Sequence, residues 1–409
     1  MKPRFATTTM AVLMIVTGCG LGSSSSPSGS SVCNGSGAIT IGVIAPISGA
    51  ASLIVGAFGA GADQAASDIN ASGGICGGRH LQIVKKDNQS DFTQDAALAK
   101  ELVENDHAVG IIVVADQDQA VIGSYAQSKG VLTVCACTSD AFDSPNNARD
   151  AFSVAIPNAI ESQLWTQYLL KTKQVSHPGV LYETTSGFGA EQSDTFCNAA
   201  KANNTPCVAT EQTTITTTDV TQQVGDLKTH GADSLLLEGF GDPVVATIKT
   251  ARAAGINGPI LGTATVATSS DLITAFVSAA DRQGFSYVNY RSATHGDPDA
   301  ATWFADELGK QGPVTEPLFV PMFAHDAVLL MARGWANSNS LNADAASKAI
   351  EKLNVKVAPG GFTLHDAVYS PQHHEPHVTG WLTLCSADAL DTRGLATVSP
   401  DAASLSPSP

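Results

Sequence analysis

The pattern of apolar and polar residues between positions 39 and 87 predicts a strand, a glycine-rich turn, a helix, a second turn and a second strand. The β-branched run that begins at Ile39 stops at Pro46, as expected for a strand buried in a parallel sheet. Small and apolar residues then recur at helical spacing over residues 57–70, and glycines follow where the helix must end. The segment 81–84 supplies the second strand of a βαβ unit.

Strands and helices continue to alternate after this first unit. This alternation predicts parallel sheets with helices on both faces. The predicted strands cover residues 109–114, 131–134, 151–157, 179–182, 208–212, 234–238, 259–262 and 285–290. The predicted helices cover 93–105, a segment ending at Lys129, 161–171, 190–201, 221–229, 244–254, 299–312 and 318–337. The fold class is therefore predicted as α/β, with two doubly wound parallel-sheet domains.

Three short motifs in the first unit carry a resemblance to a known family. The chain reads P-x-S-G, then G-x-x-G-x-G at a helix start, then D-I-N-x-x-G-G-I-x-G-x-x-L-x-x-x-x-x-D. This pattern resembles type I solute-binding proteins, the receptors of branched-chain amino acid ABC importers. The H-D-A motif at His325 resembles the family's Y-D-A motif, so the resemblance covers about residues 39–386.

The resemblance implies two Rossmann-like lobes joined by hinge strands. Lobe 1 is expected to comprise 38–155 with 289–365, and lobe 2 to comprise 156–288 with 366–388. Hinge motion is expected near residues 155–157, 288–290 and 370–376.

The N-terminus predicts export. Lys2 and Arg4 precede an apolar segment, 10–16, that ends in V-T-G-C at Cys19, which looks like a lipobox. This segment is shorter than the about 20 residues that a membrane span needs. Residues 1–18 are therefore predicted to be a signal peptide and Cys19 the lipidated first residue of the mature chain. The alternative is an ordinary secretory peptide with an incidental cysteine.

Composition indicates the character of the two ends of the chain, the number of domains and the class of partner. Residues 19–37 are rich in Ser and Gly and suit a flexible tether, whereas 389–409 are rich in Ala, Ser and Pro and are predicted to be a disordered tail. A length of 409 residues allows two domains of about 150 residues each. The net charge of −16 argues against a nucleic-acid partner.

The cysteines point to disulfides, which an exported protein can form. Seven cysteines follow Cys19, and an odd number leaves at least one unpaired within the chain. The predicted pairs are Cys33 with Cys76, before adjacent strands, and Cys197 with Cys207, between a helix end and the next strand. The pairing of Cys135, Cys137 and Cys385 stays open.

A ligand is expected in the cleft between the lobes, at loops that follow strands and at helix N-termini. Ser139 falls on a family threonine that contacts the ligand's carboxylate and ammonium groups. Phe188 and Phe240 fall on two family tyrosines that line the pocket. The full set of predicted ligand-binding residues is Ser48, Asp116, Gln117, Ser139, Phe188, Phe240, Asp242 and Ala264.

Two of these positions depart from the family pattern. Asp116 stands where leucine-binding members have a serine for the ligand carboxylate, and two like charges at 4 Å repel by about 1 kcal/mol in water. Ala264 stands where a glutamate neutralises the ligand's ammonium, unless Asp116, Asp242 or Glu238 replaces that glutamate. A cation, an amide or a polyol is therefore expected, and a rearranged amino acid site is the alternative. Asp116 also suits a helix N-cap.

Other motifs give no support for catalysis or cofactors. The glycines at 56, 59 and 61 lack the spacing of a dinucleotide loop, and residues 373–377 (H-H-E-P-H) are too close together to converge readily on one metal ion. The pair Cys135 and Cys137 has no second half that would complete a metal site. No G-x-S-x-G elbow or P-loop lysine is present. The chain is therefore expected to be no enzyme, and to need no cofactor or metal.

The predicted function is that of a monomeric, lipid-anchored receptor outside the cell membrane. It would bind a small polar solute, such as an amino acid or an amide, and deliver it to an ABC permease and its ATPase. The alternative is a sensory or interaction lipoprotein that signals to a membrane partner through the same cleft.

Overall fold

The computed structural model describes residues 33–143, 149–310, 318–353, 367–376, 379–387 and 395–405. The predicted signal peptide, Cys19 and most of the predicted tether lie outside the described residues, as does His377. None of the helices among the described residues has both the length and the apolar character needed to cross a membrane.

The first lobe is built on a five-stranded sheet in which every strand is parallel to its neighbours. Its strands are β1 (Ile39–Ala45), β2 (Leu81–Asp87), β3 (Gly110–Val113), β4 (Leu132–Cys135) and β5 (Ala151–Ser153), in the order β2-β1-β3-β4-β5. Its connecting helices are α1 (Ser52–Val55), α2 (Phe58–Ala71), α3 (Asp95–Glu104) and α4 (Asp116–Lys129). β3 and β4 are buried along their whole length, as expected for strands covered by helices on both faces.

The second lobe repeats this plan. Its strands are β6 (Pro178–Glu183), β7 (Ala209–Thr213), β8 (Ser234–Leu237), β9 (Ile260–Gly262), β10 (Phe285–Tyr290) and β11 (Leu382–Ser386), in the order β11-β10-β9-β8-β6-β7. Five of them are parallel in the arrangement of the first sheet, and β11 adds an antiparallel edge. The helices are α5 (Asn158–Thr166, continued as a π-helix, Gln167–Thr172), α6 (Gly189–Ala202), α7 (Thr221–Thr229), α8 (Asp242–Ala253) and α9 (Ser270–Phe276). The predicted α/β class with two doubly wound sheets is confirmed.

Three later helices return to the first lobe. They are α10 (Pro298–Gly309), α11 (Phe319–Ser338) and α12 (Ala343–Ile350). α11 packs along α2 and against β3 and β4, and α12 packs against α11. Because α11 carries an almost continuous buried face, it completes the core of the first lobe.

Two elements differ from the sequence prediction. No helix is predicted at α9 or α12, and the Thr- and Ser-rich segment before α9 has a weak intrinsic preference for helix.

The predicted disorder of the C-terminal tail does not hold for residues 395–405. Leu395 and Ala396 are buried, and Val398 pairs with Cys385 of β11. These apolar residues cover the β11 edge of the second sheet, which explains their order.

The chain crosses between the lobes where aromatic side chains hold the crossing segments together. The Tyr290 hydroxyl accepts a hydrogen bond from the Ile156 N–H at 3.0 Å. The Tyr369 hydroxyl donates to the Ser153 carbonyl oxygen at 2.7 Å. The His374 ring stacks on Phe152 with ring centroids 4.1 Å apart. The expected hinge segments 288–290 and 370–376 therefore contain residues that contact β5 or its continuation at 155–157.

Both predicted disulfides are present. Cys33 is bonded to Cys76 with a Cα–Cα distance of 5.0 Å, and Cys197 is bonded to Cys207 with a Cα–Cα distance of 5.4 Å. A third bridge joins Cys135 to Cys137 at the end of β4. Cys385 is unpaired among the described cysteines and is buried in β11. The third bridge uses both thiols of the C-x-C motif, so neither thiol is free to bind a metal ion. This supports a structural role for the motif.

The glycine-rich start of α2 is explained by close packing against α11. A Cβ atom added at Gly61 would overlap the carbonyl oxygen of Pro321. Only a glycine lets the two helices approach to this distance, so the last glycine of the G-x-x-G-x-G motif serves helix packing here.

We expect Gly61→Ala to lower the free energy of unfolding by about 1–3 kcal/mol, because the added methyl group must push α2 away from α11. Gly225→Ala is the matched control. Gly225 lies in α7 with open space around its Cα, so alanine there should be neutral or stabilise by up to about 1 kcal/mol. Chemical denaturation of both variants measures the difference. Equal stability of the two variants would contradict the proposed packing role.

Candidate ligand site

A cavity of about 90 Å³ lies between the two lobes. One water molecule needs roughly 10–15 Å³ of such space, so the cavity has room for a compact organic molecule. Its walls come from loops that follow strands in both sheets and from the start of α11. This is the location expected for a ligand in a pair of doubly wound lobes.

Aromatic rings dominate the cavity walls. Six rings contribute to the lining: Phe92, Phe188, Phe240, Tyr290, Phe319 and Phe323. Tyr290 stacks on Phe319 at a centroid distance of 5.4 Å and meets Phe323 edge-to-face at 4.9 Å. These mutual contacts fix the rings at the base of the cleft, so the apolar wall exists before any ligand binds.

The rest of the lining is small and weakly polar. Hydroxyl-bearing residues are Thr138, Ser186, Thr265 and Thr268, and the others include Pro46, Ala51, Val114, Ala115, Ala136 and Ala264. The described residues that line the cavity include no lysine, arginine, histidine or carboxylate. The sequence predicts a site for a polar solute, whereas the walls offer mainly apolar contact.

Asp116 does not line this cavity. It is the first residue of α4, and its carboxylate accepts hydrogen bonds from the N–H groups of Ser139 at 3.0 Å and Thr138 at 3.2 Å. Burial raises the pKa of Asp116 to about 7, although these two hydrogen bonds favour its ionised form. The side chain therefore holds the loop after β4, and the N–H groups of that loop are already occupied.

Glu161 is a buried carboxyl group that sequence reasoning missed. It lies in the first turn of α5, is 1% exposed, and accepts hydrogen bonds from the Ala264 N–H at 2.7 Å and the Trp165 indole N–H at 2.9 Å. Burial raises the pKa of Glu161 to about 7. Because Ala264 lines the cavity, Glu161 places a carboxyl group directly behind the wall. Its sequence position indicates only an acidic residue at a helix start, so nothing in the pattern marks its role.

Two further carboxyl groups lie at the same edge of the second sheet. Glu183 accepts hydrogen bonds from the N–H groups of Thr185 and Ser186 and from the Ser186 hydroxyl. Glu238 accepts from the Glu183 N–H at 2.8 Å, while its other oxygen, Oε1, has no hydrogen-bond partner among the described residues. Burial raises the pKa of Glu238 well above its usual value, and the neighbouring carboxylates of Glu183 and Glu161 add to this effect.

Polar contacts between described residues join the lobes across the cleft. The N–H of Asp140, in the loop after β4, donates to the carboxylate of Glu191 on α6 at 2.7 Å. The Gln192 side-chain amide lies 3.5 Å from the Thr138 hydroxyl. Contacts of this kind can break and form again as the lobes open and close, which gives a ligand a route into the cavity.

The predicted ligand-binding residues fall into three groups. Phe188, Phe240 and Ala264 line the cavity. Asp116, Gln117 and Ser139 line a neighbouring polar depression of about 330 Å³. Ser48 and Asp242 line neither space: the Ser48 hydroxyl donates to Asp87 at 2.6 Å, and Asp242 is exposed at the start of α8. The sequence missed Tyr290, Phe319 and Phe323, which come from a crossing strand and a distant helix.

No group of three side chains suited to a metal ion occurs among the residues that the structure describes. Within residues 373–376, the imidazole of His374 contacts the carbonyl oxygen of Ala151 at 2.9 Å and the carboxylate of Glu351 at 3.2 Å. These contacts use both ring nitrogens to hold the crossing segment against β5, so a structural role accounts for this histidine.

A family model described as periplasmic binding protein matches residues 38–383, which is most of the chain. The chain belongs to the periplasmic binding protein family. Its two-lobed fold is of type I, and the family consists of binding proteins, not enzymes.

Solved structures of low sequence identity share the fold. The type 1 periplasmic binding protein of Bordetella pertussis Tohama I is 19% identical with a TM-score of 0.71, over 89% of this chain and 100% of that one. The branched-chain amino acid transporter substrate-binding protein LivJ of Streptococcus pneumoniae, in complex with isoleucine, is 18% identical with a TM-score of 0.69, over 88% and 97%. An ABC transporter solute-binding protein of R. palustris, in complex with benzoate, is 16% identical with a TM-score of 0.69, over 88% and 94%.

A closer match in sequence is short. This chain is 39% identical over 74 residues to an amino acid binding protein of Pseudomonas aeruginosa. The match covers 18% of this chain and 20% of that protein, so the chain spans only a fifth of the curated relative it matches.

The raised pKa of Glu161 predicts how stability varies with pH. The folded protein keeps the Glu161 proton up to about pH 7, whereas the unfolded chain loses it near 4.5. Folding therefore takes up a proton between these values, and the free energy of unfolding falls as pH rises through this window. We expect Glu161→Gln to reduce this fall by up to about 1.4 kcal/mol per pH unit.

Denaturation of the wild type and of Glu161→Gln at pH 5, 6, 7 and 8 measures this effect. Asp194→Asn, which removes one exposed negative charge from α6, is the control and should keep the wild-type pH dependence. A Gln variant with the same pH dependence as the wild type would show that Glu161 is ionised throughout the window.

Proposed function

We propose that this protein is the extracytoplasmic receptor of an ABC importer, which holds a small organic solute between its lobes and delivers it to a permease. The cavity carries the proposal, because both lobes line it in a chain of the periplasmic binding protein family. A solute held there is contacted by both lobes at once, so binding stabilises the closed arrangement over the open one.

The chemistry of the chain outside the cavity supports export. The described residues contain three disulfides, which form and persist outside the cytoplasm. The lipobox-like V-T-G-C sequence ending at Cys19 supports attachment to the outer face of the membrane. Attachment would keep the receptor close to its permease.

The relatives support a small organic ligand. One structural neighbour is in complex with isoleucine, another is in complex with benzoate, and the curated relative is named an amino acid binding protein. These ligands share an apolar body of a few carbon atoms. An apolar body of this kind suits the aromatic walls of the cavity.

Thermal unfolding against a panel of amino acids, amides, amines and aromatic acids tests solute binding. A ligand at 100 times its dissociation constant adds about 2.7 kcal/mol of stability, so at least one compound should raise the unfolding midpoint clearly. Phe240→Ala should weaken that response, because the ring forms part of the wall. Phe276→Ala, at an exposed side chain of α9, should keep it. A response that survives in Phe240→Ala would place the ligand elsewhere.

Cys19→Ser tests the anchor. We expect the wild-type protein to fractionate with membranes and to gain the mass of a lipid at Cys19, because the thiol is the group that would be modified. The Cys19→Ser variant should lose both properties, while Ser24→Ala in the same segment should keep them. Membrane association and lipid mass retained in Cys19→Ser would refute the lipid anchor.

A further inference from the structure

We infer that the cavity between the lobes takes an organic cation with an apolar surface, of the quaternary ammonium or protonated amine class. The inference rests on the proposed function, because it specifies the ligand of the same cleft. Three features of the site lead to it: the aromatic walls, the carboxyl groups behind those walls, and the occupied N–H donors in the loops that follow the strands.

The aromatic walls favour a cation over a polar neutral solute. Rings from both lobes surround the space, and the cluster of Tyr290, Phe319 and Phe323 forms one side of it. The face of an aromatic ring carries negative partial charge and attracts ammonium groups, most strongly where water is excluded. A sugar or a polyol would lose its hydrogen bonds to water against such walls.

Carboxyl groups lie directly behind the walls. Glu161 contacts the backbone of Ala264, Asp116 contacts that of Thr138, and Glu183 contacts Ser186, and all three contacted residues line the cavity. The side chains that act on Asp116 and Glu238 electrostatically are other carboxylates. Glu238 also keeps a buried oxygen without a hydrogen-bond partner. The described residues that line the cavity supply no positive charge, so a cation there would favour the ionised forms of these carboxyl groups.

The loop after β4, at the edge of the cleft, disfavours a ligand that carries a carboxylate. An anion at this edge of the sheets would normally bind the backbone N–H groups that follow the strands. Here Asp116 accepts from Thr138 and Ser139, and Glu191 accepts from Asp140. These backbone donors are already occupied by carboxyl groups, so an incoming carboxylate would not find them free and would be repelled by the ionised forms of those groups.

Titration calorimetry with two pairs of probes tests the inference. Choline and 3,3-dimethylbutan-1-ol have nearly the same shape, and only choline is charged. Leucine and 3-methylbutylamine differ by the carboxylate of leucine. We expect choline to bind at least tenfold more tightly than its neutral counterpart, and the amine at least tenfold more tightly than leucine.

Two variants and one control test whether the carboxyl group of Glu161 and the ring of Phe240 cause the preference for choline. At pH 8, where Glu161 is largely ionised, Glu161→Gln should weaken the binding of choline at least threefold and leave the neutral alcohol unaffected, whereas Asp194→Asn should change neither. Phe240→Leu keeps apolar volume but removes a ring, and it should weaken choline more than the alcohol. Circular dichroism and the unfolding midpoint report whether each variant is folded.

The outcomes separate this inference from the proposed function. Equal or tighter binding of the neutral alcohol, or tighter binding of leucine than of the amine, would overturn the inference and leave solute binding in place. Absence of binding by both choline and the amine would also overturn it. In that case the proposed function would depend on the other compounds of the thermal panel.

Discussion

The backbone N–H groups at the cleft edge of both sheets are bound by the protein's own carboxylates, and the character of the site depends on this. A parallel sheet leaves such donors exposed after its strands, where they would otherwise bind an anion. In this chain Asp116 accepts from the loop after β4, Glu183 from the loop after β6, and Glu161 from the segment after β9. The loops are thereby fixed, and carboxyl groups are concentrated around a space that no described basic side chain lines.

This arrangement explains why the cavity walls can be aromatic. With its loops already held by internal hydrogen bonds, the cleft does not need a polar ligand to order them. Phe240 and Tyr290 can line the cavity while the Tyr290 hydroxyl accepts a hydrogen bond from the Ile156 N–H. Burial raises the pKa values of Asp116 and Glu161 to about 7, and a nearby positive charge would favour their ionised forms. A positive charge in the cavity would therefore be stabilised by both the rings and the carboxylates.

Much of the fold could be predicted from the sequence, because buried parallel strands and glycine-ended helices leave local patterns. β1, α2 and β2 follow directly from hydrophobic periodicity, and the pairs Cys33–Cys76 and Cys197–Cys207 follow from adjacency along that pattern. The site was harder to predict. The resemblance predicts Phe188 and Phe240 in the cavity walls, but Glu161 and Tyr290 reach the site only through long-range packing. Asp116 was identified as a departure, yet its two N–H partners, 22 and 23 residues away, cannot be read from a local pattern.

Identification of the molecule that the receptor selects from a mixture tests the central claim most directly. Purified protein would be incubated with a cell metabolite extract, separated from unbound compounds and denatured, and the released compound identified by mass spectrometry. The carboxylate-bound loops and aromatic walls predict a compact organic cation without a carboxylate. Release of an amino acid or another carboxylic acid would show that the cleft accepts an anion despite Asp116, and would contradict this account of the site.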